Sequence, residues 1–179
     1  MARRVVFTGR KIQVAIDTHT LADGSPVQRD VVIHPGAVAI IPLVDRDQVC
    51  LVRNRRPIVG EELLEIPAGT LEPGEAPDLA AVRELAEETG YSARTWRKLT
   101  EFFPSPGVLS ERTHLYLATN LSAGAMHLEA GEELVPEVVS WSDAMRWVVD
   151  GTIRDAKTLI GLLLVDGMRS NHGPSAERY

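Results

Sequence analysis

Cysteine is nearly missing from this chain of 179 residues, which carries one, Cys50. A lone cysteine closes no disulfide within the chain and builds no cysteine-based zinc cluster. It lies in the apolar run Val49-Cys50-Leu51-Val52, where a thiol reads as a small buried hydrophobe rather than a nucleophile. Histidine is scarce too, and the five present are scattered, so a histidine metal site has little support. Long hydrophobic runs are missing. The longest, Ala37 to Val44, is broken by Pro42 and falls far short of the roughly 20 apolar residues that cross a bilayer. The N-terminus has Arg3 and Arg4, but the apolar stretch after them stops at once, too short for a secretory signal. We therefore expect a cytoplasmic protein with no membrane association. An excess of positive charge is also lacking. The net charge of −6 argues against a protein whose task is to grip nucleic acid. No internal repeat or low-complexity tract is visible.

What is present is ordinary for a globular chain: 44% apolar and 25% charged residues, in a length close to one average domain and able to bury a sizeable core. The charge is unevenly spread. Between Glu61 and Tyr91 there are nine acidic residues and one basic residue, Arg83, so this stretch carries −8 and the remainder +2. Such self-repulsion is tolerated on a solvated helix, or it is there to be neutralised by cations.

The first third reads as strands. Lys11 to Thr18 alternates, and Val27 to His34 follows the turn cluster Asp23-Gly24-Ser25-Pro26, which suggests a small antiparallel sheet. Ala37 to Val44 reads as a strand buried on both faces. Val49 to Arg53 and Glu62 to Ile66 follow as strands. Pro67 to Pro77 holds prolines and glycines throughout and reads as loop. Asp78 to Thr89 has helical spacing, with Leu79, Val82, Leu85 and Ala86 as its apolar positions, Pro77 at its first turn and Gly90 at its C-terminal end. Further strands are expected at Leu99–Phe103, Thr113–Ala118 and Val135–Trp141. A helix capped by Ser142 or Asp143 runs to about Asp150, and a last helix from about Asp155 to Met168. The expected fold class is α+β, an α/β/α sandwich with a mixed sheet.

On the central helix, Glu84, Glu87 and Glu88 are three and four residues apart, so their carboxylates share one side. Like charges at that spacing cost roughly 0.2–0.5 kcal/mol per pair in water, and more when partly buried. A hard divalent cation, Mg2+ or Mn2+, removes the conflict and keeps coordination positions for phosphate. A solvated acidic face is the other reading of the helix taken alone. The loop Gly69-Thr70-Leu71-Glu72-Pro73-Gly74-Glu75 leads into it, and its glycines allow a close backbone approach. A carbonyl near Ala68 can then join the carboxylates. Arg83 can pair with Glu87 or with a loop carboxylate and fix their orientation.

These residues resemble the Nudix box: Gly69, five residues, Glu75, seven residues, Arg83-Glu84, the aliphatic Leu85, one residue, Glu87-Glu88, one residue, Gly90, and a hydrophobic. Tyr91 stands where an aliphatic residue is commoner. The resemblance implies Mg2+- or Mn2+-assisted hydrolysis of a nucleoside diphosphate linked to another group. It implies Glu84 and Glu88 as metal ligands, Glu87 sharing or orienting, and Ala68 lending its carbonyl. Downstream, Ser105-Pro106-Gly107 resembles the loop of ADP-ribose pyrophosphatases and related nucleotide-sugar hydrolases, in which a later loop glutamate acts as base or extra metal ligand. Glu111 fits that position; a proline-stiffened turn with a solvent glutamate is the alternative. The subfamily's phosphate-contacting arginine matches Arg56 in the run Arg53-Asn54-Arg55-Arg56, which could otherwise be a solvated edge or a nucleic-acid patch. Glu65 would accept hydrogen bonds from substrate or orient Arg56, or else be an exposed strand residue. In the acidic cluster Glu129 to Glu133, Glu132 and Glu133 are both candidates for a substrate-side carboxylate, and Glu133 is carried forward.

The N-terminal residues look like the extra subdomain that these pyrophosphatases exchange in forming a dimer, and the segments Trp141–Met145 and Asp155–Leu159 also resemble that subfamily. The expected division is an N-terminal β subdomain over residues 1–35, a hydrolase domain over 36–168, and an unstructured tail over 169–179. The expected partners are a small nucleotide sugar and a second copy of the chain, with no nucleic acid and no membrane. With only three Phe and three Tyr, no base-stacking residue is identified. Two other readings remain: a Nudix hydrolase for another nucleotide class, such as oxidised nucleotides or dinucleoside polyphosphates, and a sugar-nucleotide sensor that does no chemistry.

Overall fold

A computed structural model describes residues 2–128 and 133–171. Ten strands and three helices follow in order: β1 (Ala2–Thr8), β2 (Gln13–Thr20), β3 (Pro26–Ile33), β4 (Ala37–Pro42), β5 (Gln48–Arg56), β6 (Glu61–Glu65), β7 (Ala68–Thr70), α1 (Pro77–Thr89), β8 (Tyr91–Phe102), β9 (Thr113–Ala123), β10 (Leu134–Ser140), α2 (Trp141–Asp150) and α3 (Ala156–Asn171).

The strands form three sheets with the orders β1-β2-β3, β10-β5-β6 and β7-β4-β9-β8. Within the four-stranded sheet β4 and β9 run parallel while the other pairs are antiparallel, so the sheet is mixed as expected. β4 is buried from Val38 to Pro42. Alternation along it feeds two cores. Val38 and Ile40 pack with Ala80, Ala81 and Leu85 of α1, while Ala39 and Ile41 pack with Leu51, Ile66, Leu162 and Val165, the last two on α3. Helices thus cover both faces of this sheet. The strand carries almost no polar side chain because neither face meets water.

The structure departs from the sequence expectations at the edges of elements. β1 adds a third strand to the N-terminal sheet. It is exposed along its whole length, so no buried face marks it in the sequence. Ala68–Thr70 is a short strand rather than loop, paired with β4; glycine and proline density hides it. β8 begins at Tyr91, well before Leu99. α2 begins at Trp141, and its cap is Ser140, whose hydroxyl accepts from Asp143 N–H at 3.0 Å, not Ser142 or Asp143. α3 continues to Asn171, three residues past Met168. The remainder of the expected tail, 172–179, lies outside the described residues.

The largest difference is the buried face of α1. Leu79 and Val82 are 63% and 47% exposed, while Glu84 and Glu88 are 7% and 4% exposed. Hydrophobicity misassigns the helix because its inner face is shared between small apolar residues and carboxylates. Gly90 closes it in the left-handed conformation, at φ 71°, where a side chain would be strained.

Candidate active site

The site begins with α1 lying against β7. Gly69 touches the Glu84 carboxylate so closely that a Cβ there would fall 1.8 Å from Oε1. Only glycine leaves room for that contact. One residue earlier, Ala68 N–H donates to Glu88 Oε2 at 3.0 Å. Strand β7 and helix α1 therefore meet through two buried carboxylates.

Arg83 ties the set together. Its Nε and Nη2 donate to the two oxygens of Glu75 at 2.8 and 2.9 Å. Its Nη1 donates to Glu84 Oε1 at 2.7 Å and to Glu87 Oε2 at 3.0 Å. Both sequence alternatives for this arginine hold at once, since it grips the loop carboxylate Glu75 and its neighbour one turn later. The bidentate bond to Arg83 holds the Glu75 carboxyl below the usual carboxylate range, against a smaller opposing effect of desolvation. The guanidinium is raised in turn, chiefly by Glu75. One cation offsets part of the repulsion among three glutamates.

A second cluster lies at the end of β5. Arg56 donates through Nε and Nη2 to both oxygens of Glu65, at 2.7 and 2.6 Å. Glu65 is 1% exposed and also accepts from Lys157. Burial pushes its carboxyl up, but Arg56 and Lys157 together outweigh burial and hold it below its ordinary value. Glu65 thus orients Arg56 and is no exposed strand residue. Lys157 in turn pairs with Asp155 at 3.0 Å, and Asp155 caps α3 by accepting from Thr158 N–H at 3.0 Å. The start of α3 is thereby fixed to the arginine at the end of β5.

Glu111 precedes β9. Its Oε1 accepts from Thr113 Oγ1 at 2.9 Å, and its Oε2 lies 3.8 Å from His34 Nδ1. Glu133 is exposed and stands 3.8 Å from Arg55. Glu132 lies outside the described residues.

A cleft of about 1040 Å³ joins these groups. Arg56, Ala68, Arg83, Glu84, Glu88, Glu111 and Glu133 all line it. Glu65 and Glu87 stand behind the wall, bonded to Arg56 and Arg83. Sequence reasoning missed Lys157 and the β1–β2 turn (Arg10 and Lys11), which line the cleft. Glu75 was legible from its place in the box. Nothing in the spacing of the turn residues points to a cleft more than forty residues away in sequence.

The donor chemistry suits a hard divalent cation: carboxylate oxygens at one wall of a cleft, beside a strand that glycine lets them approach closely. Among the described residues no three His, Cys, Asp or Glu side chains stand in an arrangement that could hold a metal ion. Glu84 and Glu87 are turned onto Arg83, and Glu88 onto Ala68 N–H. A cation bound here would draw those oxygens from their present donors. Among the described residues no helix is long and apolar enough to cross a membrane.

Known proteins resemble this chain in sequence and in fold. The chain is 38% identical over 160 residues to a protein named ADP-ribose pyrophosphatase from Bacillus subtilis, covering 88% of this chain and 86% of that one. It is 36% identical over 159 residues to one named methanol dehydrogenase activator from Bacillus methanolicus, covering 88% and 86%. The crystal structure of an ADP compounds hydrolase superposes with a TM-score of 0.84 over 97% of this chain and 94% of that one, at 24% identity, a likeness of fold. The family model described as NUDIX domain matches residues 33–158, which takes in β4 to the start of α3 and the whole cleft wall built from the box, and the chain belongs to that family.

Proposed function

We propose that this protein hydrolyses the diphosphate of ADP-ribose or a related nucleoside diphosphate sugar, giving a nucleoside monophosphate and a sugar phosphate. One observation carries the reading: buried Glu84 and Glu88 line the same cleft as Arg56 and Lys157. A diphosphate needs cations on its oxygens, and the cleft offers both an arginine fork and carboxylates suited to a divalent metal. Glu84, Glu88 and the Ala68 carbonyl would hold Mg2+ or Mn2+, with Glu87 shared or orienting. Such a cation supplies charge neutralisation on phosphate and a more acidic water.

The remaining steps belong to the chain's own groups. Arg56, held by Glu65, takes diphosphate oxygens. Arg83 keeps Glu75, Glu84 and Glu87 in fixed relation. Glu111 accepts the proton of the attacking water as its oxygen bonds to phosphorus and the bridging P–O bond breaks. Glu133 lies on the substrate side of the cleft. The Ser105-Pro106-Gly107 loop and the extra N-terminal sheet favour a nucleotide sugar over other nucleotides.

We also infer a homodimer. β1 is an edge strand exposed throughout, with Val5, Val6 and Phe7 at 47%, 48% and 57% exposure. An apolar free edge of that kind invites a second copy of the chain. A reducing compartment such as the cytoplasm suits Cys50, whose thiol burial pushes up to about 12.

The deciding experiment measures turnover of ADP-ribose, ADP-glucose, GDP-mannose and a dinucleoside polyphosphate, with Mg2+ present and then chelated, alongside Glu88→Gln. The proposal expects metal-dependent release of a nucleoside monophosphate and a fall in kcat of ~10²–10³-fold or more for Glu88→Gln, as for loss of one charge-stabilising group. Tight ADP-ribose binding without metal-dependent cleavage would identify a sensor instead.

A further inference from the structure

β3 pairs with β2 along one edge. Its other edge holds the loop that carries Glu111. Val32 N–H donates to Val108 C=O at 2.7 Å, and Ser110 N–H donates to Val32 C=O at 2.9 Å. Val32 and Leu109 form a parallel bridge. The backbone N–H of His34 donates to Ser110 Oγ at 3.0 Å. Three bonds from β3 and the residue that follows it therefore converge on residues 108–110, directly before the carboxylate. On the far side, Arg112 C=O accepts from Ala37 N–H at 3.0 Å, and Thr113 Oγ1 fixes Glu111 Oε1. The loop closes a single turn on Ser105 C=O, and Pro104 and Pro106 stiffen its front.

We propose that the outer edge of β3 is a strut that sets Glu111 in the cleft, with Ser110 as the positioning residue that hooks the loop to His34. The inference rests on the reading of Glu111 as the group that takes the proton. Ser110 is exposed, so its hydroxyl adds little to a core. Its bond instead removes freedom from the residue next to the carboxylate. Catalysis by a general base depends on holding that base within hydrogen-bond reach of its water, and displacement of about 1 Å can cost ~100-fold in rate. The N-terminal sheet then has a duty inside its own protomer, separate from any contact with a second copy.

The test compares Ser110→Ala, Ser110→Thr, Val32→Pro and Glu111→Gln in the full chain with Mg2+. Proline at Val32 removes the donor to Val108, and β3 tolerates it because that N–H points away from β2. Hydrogen exchange of residues 105–112 reads the strut without reference to turnover. Ser110→Ala is expected to speed exchange there and lower kcat roughly 10-fold, with KM and calorimetric Mg2+ affinity unchanged; Val32→Pro does the same by roughly 100-fold. Ser110→Thr restores both. In the Glu111→Gln background, Ser110→Ala produces no further loss, because it acts through the missing carboxylate. Faster exchange with wild-type kcat in Ser110→Ala and Val32→Pro, while Glu111→Gln is itself impaired, overturns the strut and leaves the hydrolase reading standing. Wild-type kcat in Glu111→Gln overturns the role of Glu111, and the strut with it.

Discussion

Gly69 and Glu84 share a contact with no room for one more carbon. Gly69→Ala would drive a methyl into the carboxylate, which Arg83 and the buried face of α1 hold in place. We expect a loss of about 1–3 kcal/mol, as for other overpacked sites, together with weakened Mg2+ binding; urea unfolding and calorimetry check the two effects. Glu65 gives a prediction in pH. Burial raises its carboxyl, but Arg56 and Lys157 hold it below its unfolded value, so its stabilising contribution is complete above the ordinary glutamate range of about 4 to 5 and drains away as pH falls through its lower folded value. Urea midpoints from about pH 6 to pH 3 should fall for the wild type in this window, and Glu65→Gln should be lower at pH 6 with a flatter profile. At this scale the box residues were legible in the sequence, since the chemistry of Glu84, Glu87, Glu88 and Arg83 is local to one helix. Lys157 was not, because its role arises only when the start of α3 meets the end of β6.

Among the elements, α2 shows how a boundary is set by one hydroxyl. Ser140 Oγ accepts from Asp143 N–H at 3.0 Å and donates to Asp143 Oδ2 at 2.7 Å, an N-cap whose hydroxyl is itself fixed by the side chain three residues on. Ser140→Ala should cost about 0.5–2 kcal/mol and lower Tm by ~2–4 °C per kcal/mol in a chain of this size; calorimetry checks it. Three serine-like or acidic residues stand near this boundary, and spacing alone does not choose among them. The strand β4 was legible because burial on both faces leaves an unbroken apolar run. β1 was not, because a strand with no buried face has no period for the sequence to record. The inner face of α1 was misassigned for the opposite reason: its burial is spent on carboxylates, and hydrophobicity points to Leu79 and Val82 instead. Where function overrides the usual partition of polar and apolar groups, the motif is the better guide to orientation.

For the whole molecule, the N-terminal sheet and the NUDIX domain share one cleft. Arg10 and Lys11 at the β1–β2 turn line it together with Glu84 and Glu111. Removal of residues 1–34 should therefore raise KM for ADP-ribose and lower kcat, and should leave a monomer in sedimentation. A truncated chain that still sediments as a dimer would show that the copies meet elsewhere. The parallel pairing of β4 with β9 has a consequence for the order in which the protein takes shape. During synthesis, β4 leaves the ribosome about seventy residues ahead of the strand that completes it. Until then an oily ribbon has its α1 cover but an open hydrogen-bonding edge, and the acidic wall it supports faces no Glu111. The nascent chain is exposed to misassociation in that interval, and the cleft itself is complete only when the start of α3 brings Lys157 to its wall.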